Sequence, residues 1–113
     1  MKKDITIFLQ HMIDCIEKVE EYTETLSEEK FLRSTQSQDA VLRRLEIMGE
    51  AAKNIPDEFK RNHPTIPWGE IVRTRDKLIH GYFGVDLKIT WNIIKQDLPG
   101  LKEKIIAIRR EME

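Results

Sequence analysis

The chain has 113 residues, a length that suits one domain burying about two-thirds of the surface exposed by its unfolded form. Charged residues make up 35% of the chain and aromatic residues 7%, which favours amphipathic helices over a sheet. The formal net charge of −1 argues against a protein that binds nucleic acid through its overall charge, so any RNA contact must come from a local patch.

Cysteine use and hydropathy predict a cytoplasmic protein. The single cysteine, Cys15, cannot form an internal disulfide, which agrees with a reducing compartment. It lies at the edge of an apolar stripe, so it is expected to be a small core residue. The charged start of the chain does not resemble a signal peptide, and no apolar run approaches the ~20 residues of a membrane span.

The first third of the chain predicts one long helix and one short helical turn. Apolar residues recur at spacings of three and four from about Asp4 to Glu24, as on an amphipathic helix with Asp4 as its N-cap. Ser27 can begin the short turn that follows. The apolar stripe of the long helix comprises Ile5, Phe8, Leu9, Met12, Ile16 and Val19.

A second long helix is predicted to begin at an N-cap within residues 34–37 and to reach about Asn54, with Pro56 ending it. Gly49 is small, so a neighbouring helix can approach closely at that point. Residues 57–63 can form a further turn. The predicted buried face comprises Val41, Leu42, Leu45, Met48, Ala52 and Ile55.

The second half predicts three more helices. Pro67 fits the first turn of a helix over Trp68 to about His80, which Gly81 and Gly84 end. Asp86 can cap a fourth helix, and Pro99-Gly100 kinks or restarts the chain before the last one. The predicted fold class is therefore all-α, an antiparallel up-and-down bundle of four to five helices in a single domain spanning 1–113.

The end of the third helix carries side chains that a scaffold does not need, since residues 75–82 are Arg-Asp-Lys-Leu-Ile-His-Gly-Tyr. A histidine can move a proton near neutral pH, and an arginine can bind a phosphate through two parallel hydrogen bonds. Asp76 and His80 share a helix face, so the carboxylate could orient the imidazole. Arg75 and His80 are about 140° apart around a straight helix. A facing helix or a second subunit could complete the pocket.

A structural interpretation of the same residues stays open at this point. His80 can cap the helix C-terminus, and Arg75 can pair with an acid such as Glu50. Arg73 and Lys77 share a face near the motif and could contact RNA phosphates, but a solvated face explains them almost as well. His11 and His63 have no metal-ligand spacing with His80, so no metal site is predicted. Trp68 and Trp91 are expected in the core or at a dimer contact.

A family resemblance favours the functional interpretation. Arg75, four residues, His80, one residue and Tyr82 match the RX4HXY signature of the HepT family within the HEPN superfamily. The resemblance extends to residues 45–52 (Leu-Glu-Ile-Met-Gly-Glu-Ala-Ala), to 66–68 (Ile-Pro-Trp), to 81–86 and to 91–101. It covers nearly the whole chain, and no motif position departs from the pattern.

The resemblance implies a metal-independent endoribonuclease without a cofactor, the toxin of a type VII (HepT–MntA) toxin–antitoxin system. It implies a HEPN-like bundle that dimerises and so brings two Arg–His motifs into one cleft. His80 would be the acid/base catalyst and Arg75 would contact the phosphate, with Glu50 and Asp76 as weaker candidates for orienting them. An MntA-type nucleotidyltransferase antitoxin would neutralise the toxin by adenylylating Tyr82.

The alternative function is a non-catalytic HEPN module that binds nucleotides or a partner nucleotidyltransferase. A pure binding module need not keep an arginine, a histidine and a tyrosine at the motif positions. The complete set therefore favours the nuclease.

Overall fold

Every regular element in the described part of the chain is helical. The structure is a computed structural model that describes residues 2–81 and 84–113, with side chains from residue 4 onward. The elements are α1 (Lys2–Thr23), α2 (Glu28–Arg33), α3 (Thr35–Lys53), α4 (Asp57–Asn62), α5 (Trp68–Ile79), α6 (Leu87–Asn92), a π-helical turn (Ile93–Asp97) and α7 (Leu98–Glu111). The predicted all-α bundle is confirmed.

Short polar side chains begin several of these helices, as the sequence predicts. The Ser34 hydroxyl accepts a hydrogen bond from the Ser37 backbone N–H at 3.1 Å and caps α3. Asp86 caps α6 by accepting from the backbone N–H groups of Lys88 and Ile89. The prediction for Asp4 is wrong. Helix α1 already begins at Lys2, so Asp4 lies within its first turn. A carboxylate at this position interacts favourably with the positive end of the helix dipole.

The π-helical turn explains how the chain accommodates Pro99. The backbone N–H of Leu98 donates to the Ile93 carbonyl, five residues back, so the helical hydrogen-bonding pattern shifts just before the proline. Pro99 then falls in the first turn of α7, where its missing N–H leaves no gap in the pattern. The helix therefore restarts at Leu98 without a loop.

Helix α3 lies at the centre of the bundle and packs against α1 and α5, while α7 returns along α1. Lys102, near the start of α7, lies 2.6 Å from Glu20 near the end of α1, so these helices run in opposite directions. The hydrogen bond to Glu20 raises the pKa of Lys102. Side chains buried to within 2% exposure include Leu9, Met12, Ile16, Val19, Phe31, Val41, Ala52, Ile55, Ile66, Leu98 and Ile105.

Cys15 and both tryptophans belong to this core, as predicted. Cys15 is buried, and the loss of hydration raises the pKa of its thiol, which disfavours the reactive thiolate. Trp91 packs against Phe31 with ring centroids 5.2 Å apart, and the Trp68 indole N–H donates to the His63 carbonyl. Among the described helices, none is long and apolar enough to cross a membrane.

Candidate active site

The close approach of α5 to α3 positions Arg75. A Cβ atom on Gly49 would overlap the Cβ of Arg75 and would lie 3.0 Å from the Ile71 carbonyl oxygen. Only glycine leaves enough room for this crossing, which is the contact that the small residue at position 49 predicts. Glu50 follows Gly49 directly, so its carboxylate lies close to the crossing point of the two helices and contacts Arg75 of α5.

Two carboxylates hold the Arg75 guanidinium. Its Nη2 lies 2.7 Å from Glu50 Oε2, and its Nη1 lies 3.0 Å from Asp76 Oδ1. The Arg75 side chain is only 18% exposed, and its Nε is buried without a hydrogen-bond partner among the described residues. The pairing of Arg75 with Glu50, the structural alternative named above, is therefore present. Such a pair restrains the guanidinium but leaves further N–H groups for another acceptor.

Local helix geometry holds His80 instead. This residue is the C-cap of α5, and its ring Nδ1–H donates to the Asp76 carbonyl oxygen at 2.9 Å. Because a carbonyl oxygen only accepts hydrogen bonds, Nδ1 carries the proton. In the neutral ring, Nε2 then has the free lone pair, as a general base requires. The side chain is exposed, and Gly81 with φ +113° turns the backbone away from the helix.

The expected role of the Asp76 carboxylate is corrected by this geometry. We expected this group to orient the imidazole, but the backbone carbonyl of the same residue does so. The carboxylate is attracted to the guanidinium of the adjacent Arg75. At a helix C-terminus the last carbonyl groups lack intrahelical partners, so a terminal histidine ring can bind the carbonyl four residues back.

Within one copy of the chain, no ion pair or hydrogen bond joins the described side chains of Arg75 and His80. Arg75 binds Glu50 of α3 and the adjacent Asp76, whereas His80 lines a cleft together with Arg73, Asp76 and Lys77. Neither Arg73 nor Lys77 has an ion-pair partner within residues 4–81 and 84–113. Tyr82, the predicted modification site, lies outside the described residues.

The cleft contains one feature that the sequence analysis missed. Its wall includes Ile89, a 57% exposed side chain two positions before the buried Trp91. The available signal was that Ile89 falls off the apolar stripe formed by Leu87, Trp91 and Ile94, since two residues turn a helix by about 200°. A single exposed apolar residue is common on protein surfaces, but Ile89 lies beside Leu78 and Ile93 in the same cleft wall, and contiguous apolar patches indicate contact surfaces.

The other histidines have structural surroundings. His11 is exposed and contacts the Phe8 ring edge-on, while His63 stacks on Phe59 and bonds its carbonyl oxygen. Across the described ranges, no three His, Cys, Asp or Glu side chains come together in a way that could hold a metal ion.

Comparison with known proteins decides the family. The family model described as "Ribonuclease HepT-like" matches residues 12–108, which include α3, α5 and the Arg75–His80 motif. The chain belongs to the HepT-like ribonuclease family. The family resemblance stated from the sequence is thereby confirmed, and the bundle with its motif at the end of α5 is a HepT-like domain.

Two relatives carry names consistent with this family. A Thermococcus cleftensis protein named "Probable ribonuclease HepT" is 49% identical over 110 residues, covering 97% of this chain and 100% of the relative. A Methanocaldococcus jannaschii protein named "Gamma-glutamylcyclotransferase and putative RNase" is 50% identical over all 113 residues. The chain spans only 51% of that relative's length. No solved structure gives a significant match.

Proposed function

We propose that this HepT-like protein is a metal-independent endoribonuclease and the toxin of a type VII toxin–antitoxin system. The observation that carries the proposal is the geometry at the end of α5. There His80 is exposed, its Nδ1–H is engaged by the Asp76 carbonyl, and its Nε2 is open. A histidine in this state can accept a proton from a substrate without rearrangement of its helix.

The proposed reaction uses the RNA's own 2′-hydroxyl as the nucleophile. His80 Nε2 takes the hydroxyl proton, the 2′-oxygen attacks the adjacent phosphorus in line, and the bond from phosphorus to the 5′-oxygen breaks. The departing 5′-oxygen takes a proton from a protonated imidazole. The products are a 2′,3′-cyclic phosphate and a 5′-hydroxyl, and the reaction needs no metal ion because the imidazole groups accept and donate the protons.

Arg75 is proposed to stabilise the negative charge that develops on the phosphate oxygens. Glu50 and Asp76 are proposed as positioning residues, because each binds one terminal nitrogen of the guanidinium. Their two contacts leave guanidinium N–H groups for a phosphate oxygen. Arg73 and Lys77 are proposed to contact neighbouring phosphates along the RNA.

The presence of one motif histidine in each copy supports a homodimeric active form. One copy supplies one open imidazole, while the reaction needs a base and an acid. A two-fold dimer would place two identical motifs in one cleft, with one His80 acting as base and the other as acid. Sedimentation equilibrium at micromolar concentration should give twice the chain mass of 13.4 kDa. A strictly monomeric protein that still cleaves RNA would contradict the shared cleft.

Regulation is proposed to act on Tyr82 through an MntA-type nucleotidyltransferase antitoxin. An AMP group attached two residues from His80 would add a bulky anion that competes with substrate phosphate for nearby cations. Co-expression with a matching nucleotidyltransferase should raise the intact mass by AMP increments and silence the toxin. Tyr82→Phe should remain toxic and escape silencing, because it lacks the acceptor oxygen. Silencing and adenylylation of Tyr82→Phe would place the modification elsewhere.

The catalytic test compares matched substitutions on a synthetic RNA in the presence of EDTA. His80→Ala and Arg75→Ala should each abolish cleavage, whereas His11→Ala and Arg61→Ala should cleave normally. Both control residues are exposed and lie in other helices. The wild-type products should carry 2′,3′-cyclic phosphate ends.

Two outcomes would reject this chemistry: loss of wild-type cleavage on chelation, or full activity of His80→Ala. If folded wild-type protein binds RNA or nucleotides but never cleaves RNA, the alternative of a non-catalytic HEPN binding module takes its place. The observation that supports this alternative is the pairing of Arg75 with Glu50 and Asp76, because these carboxylates already occupy part of the guanidinium that a substrate phosphate would need.

A further inference from the structure

The helical bundle is open between α5 and α7. Helix α5 packs on α3 and α7 packs on α1, but within the described ranges α5 and α7 make little direct contact with each other. A hollow of about 490 Å³ occupies the gap, and Leu45 and Met48 of the central helix α3 form part of its floor. A cavity of this size with a mostly apolar lining is typical of a small-molecule site. This surface is named the α5–α7 hollow.

Contacts at its two ends show how the walls of the α5–α7 hollow run. Thr74 of α5 and Ile93 of the π-helical turn lie at the same end, because both also line the neighbouring cleft at His80. At the other end, the Lys104 ammonium group of α7 donates to the Thr65 carbonyl oxygen, just ahead of α5. The two walls therefore run antiparallel.

Each wall of the hollow carries one carboxylate. Glu70 lies four residues before Thr74 on α5, and Asp97 lies four residues after Ile93 on the opposite wall. Both carboxylates are therefore about one helical turn from the same end and face each other across the hollow. Neither forms an ion pair within residues 4–81 and 84–113, and the Asp97 side chain does not cap α7.

The charges that line the hollow favour a cationic ligand. The charged side chains of the lining are Glu70, Asp97 and Lys104, so their charges sum to −1. Lys104 is held at the far end by the Thr65 carbonyl, whereas the two carboxylates repel each other over an apolar floor. A ligand with one cationic group for each carboxylate and an apolar stem between them would remove this repulsion.

From this arrangement we propose that the α5–α7 hollow binds a linear aliphatic polyamine, a chain of methylene groups with an ammonium group at each end. One ammonium group would bind Glu70 and the other Asp97, while the methylene groups would cover Leu45, Met48 and the rest of the apolar lining. The bound polyamine would tie α5 to α7 and close the open side of the bundle. This site would exist whether or not the protein cleaves RNA.

A basic peptide helix fits this surface less well than a small polyamine does. A docked helix would extend past the hollow into the neighbouring cleft at His80. That cleft is lined by two cations and two carboxylates, Arg73, Lys77, Asp76 and Asp86, so it offers no net attraction for basic side chains. The negative charge is confined to the hollow, which matches the short reach of a polyamine.

The test uses 1,5-diaminopentane and spermidine as probes at constant ionic strength, with melting followed by circular dichroism and affinity measured by isothermal titration calorimetry. Both amines should raise the melting temperature of the wild type, because a ligand that binds only the folded state stabilises it. Glu70→Gln and Asp97→Asn should each weaken binding roughly twofold to fivefold, as expected for the loss of one exposed ion pair. Glu17→Gln and Glu24→Gln, at exposed carboxylates in and just after α1, are the matched controls and should bind normally.

Ligand chemistry separates the charge contacts from the apolar contact. Pentylamine has the same chain with one ammonium group, so it should bind the wild type more weakly than 1,5-diaminopentane. Affinity should rise from 1,3-diaminopropane to 1,5-diaminopentane, because each added methylene group buries apolar surface. Magnesium ions carry two charges without a methylene chain and should not reproduce the stabilisation.

Several results would overturn the inference. An unchanged melting temperature of the wild type with both amines would exclude the site. An equal loss of affinity in the Glu17 and Glu24 variants would reduce it to a general attraction to acidic surface, and an equal effect of magnesium would reduce it to charge alone. A changed mass of Glu70→Gln in sedimentation would assign the hollow to an interface between copies. Binding of a basic amphipathic peptide, but of neither amine, would assign it to a protein partner.

Discussion

Arg75 and His80 lie five positions apart at the end of one helix, yet different interactions hold them in place. Arg75 is 18% exposed and is fixed by tertiary contacts, because α3 supplies both the space at Gly49 and the carboxylate of Glu50. His80 is exposed and is fixed by its own helix, through the Asp76 carbonyl and the turn at Gly81. One short motif therefore joins a packed half to a solvent-facing half.

This difference predicts how substitutions should act. A change in the packed half should lower the free energy of unfolding together with activity, since the same contacts serve both. A change in the solvent-facing half should remove activity and leave stability almost unchanged. Activity assays alone cannot separate the two halves, so the cleavage rate and a urea denaturation curve must be measured for each variant.

Gly49→Ala should have the largest effect on stability. The added methyl group would overlap the Cβ of Arg75 and force α3 and α5 apart, which should lower the free energy of unfolding by about 1–3 kcal/mol. Cleavage should fall as well, because Arg75 moves with α5. The matched control is Gly100→Ala in α7, where an added Cβ meets nothing within 4 Å. Equal stability of the two variants would contradict the close contact at Gly49.

Glu50→Gln should have a smaller effect on stability and a distinctive effect on kinetics. The carboxylate is half exposed, so loss of this ion pair should cost less than about 1 kcal/mol. A less compensated Arg75 should bind substrate phosphate more tightly but in a less fixed orientation, so KM and kcat should both fall. Glu46→Gln, in the same helix, is the control. A raised KM with unchanged kcat would mean that Glu50 contributes to substrate binding and not to positioning.

His80→Ala should have the smallest effect on stability, within about 0.5 kcal/mol, as for exposed positions generally. It should nevertheless abolish cleavage, because the open imidazole nitrogen is lost. Far-ultraviolet circular dichroism should be unchanged. A large loss of stability in this variant would show that the end of α5 contributes to the packing of the bundle and would remove the contrast between the two halves.

Local signals in the sequence predicted the helices well. The N-caps Ser34 and Asp86 compete directly with water for the first free N–H groups of a helix, and both lie where the sequence places them. Asp4 was misplaced because the end of a terminal helix is only weakly specified by one polar side chain. Pro99 indicated the restart of the helix, but the proline by itself did not predict the π-helical turn that precedes it.

Only part of the candidate site could be predicted from the sequence. Arg75, His80 and the possible Arg75–Glu50 pair could be identified, since chemistry and spacing are local properties. The contact between His80 and Asp76 was predicted with the wrong group of Asp76, because the choice between its carboxylate and its backbone carbonyl depends on side-chain geometry. The cleft at Ile89 could not be predicted, since the surfaces around an exposed apolar residue are known only from the fold.

By itself the sequence determined the all-α class, the order of the helices and the placement of a complete Arg–His–Tyr motif at a helix end. These follow from periodicity, capping and residue chemistry, which act over a few residues along the chain. Tertiary structure alone decided that Glu50 of α3 binds Arg75 while His80 lines a cleft, and that Leu42, Leu45 and Ile89 provide apolar surface in that cleft. Such properties depend on distances between residues far apart in the chain, which periodicity does not encode.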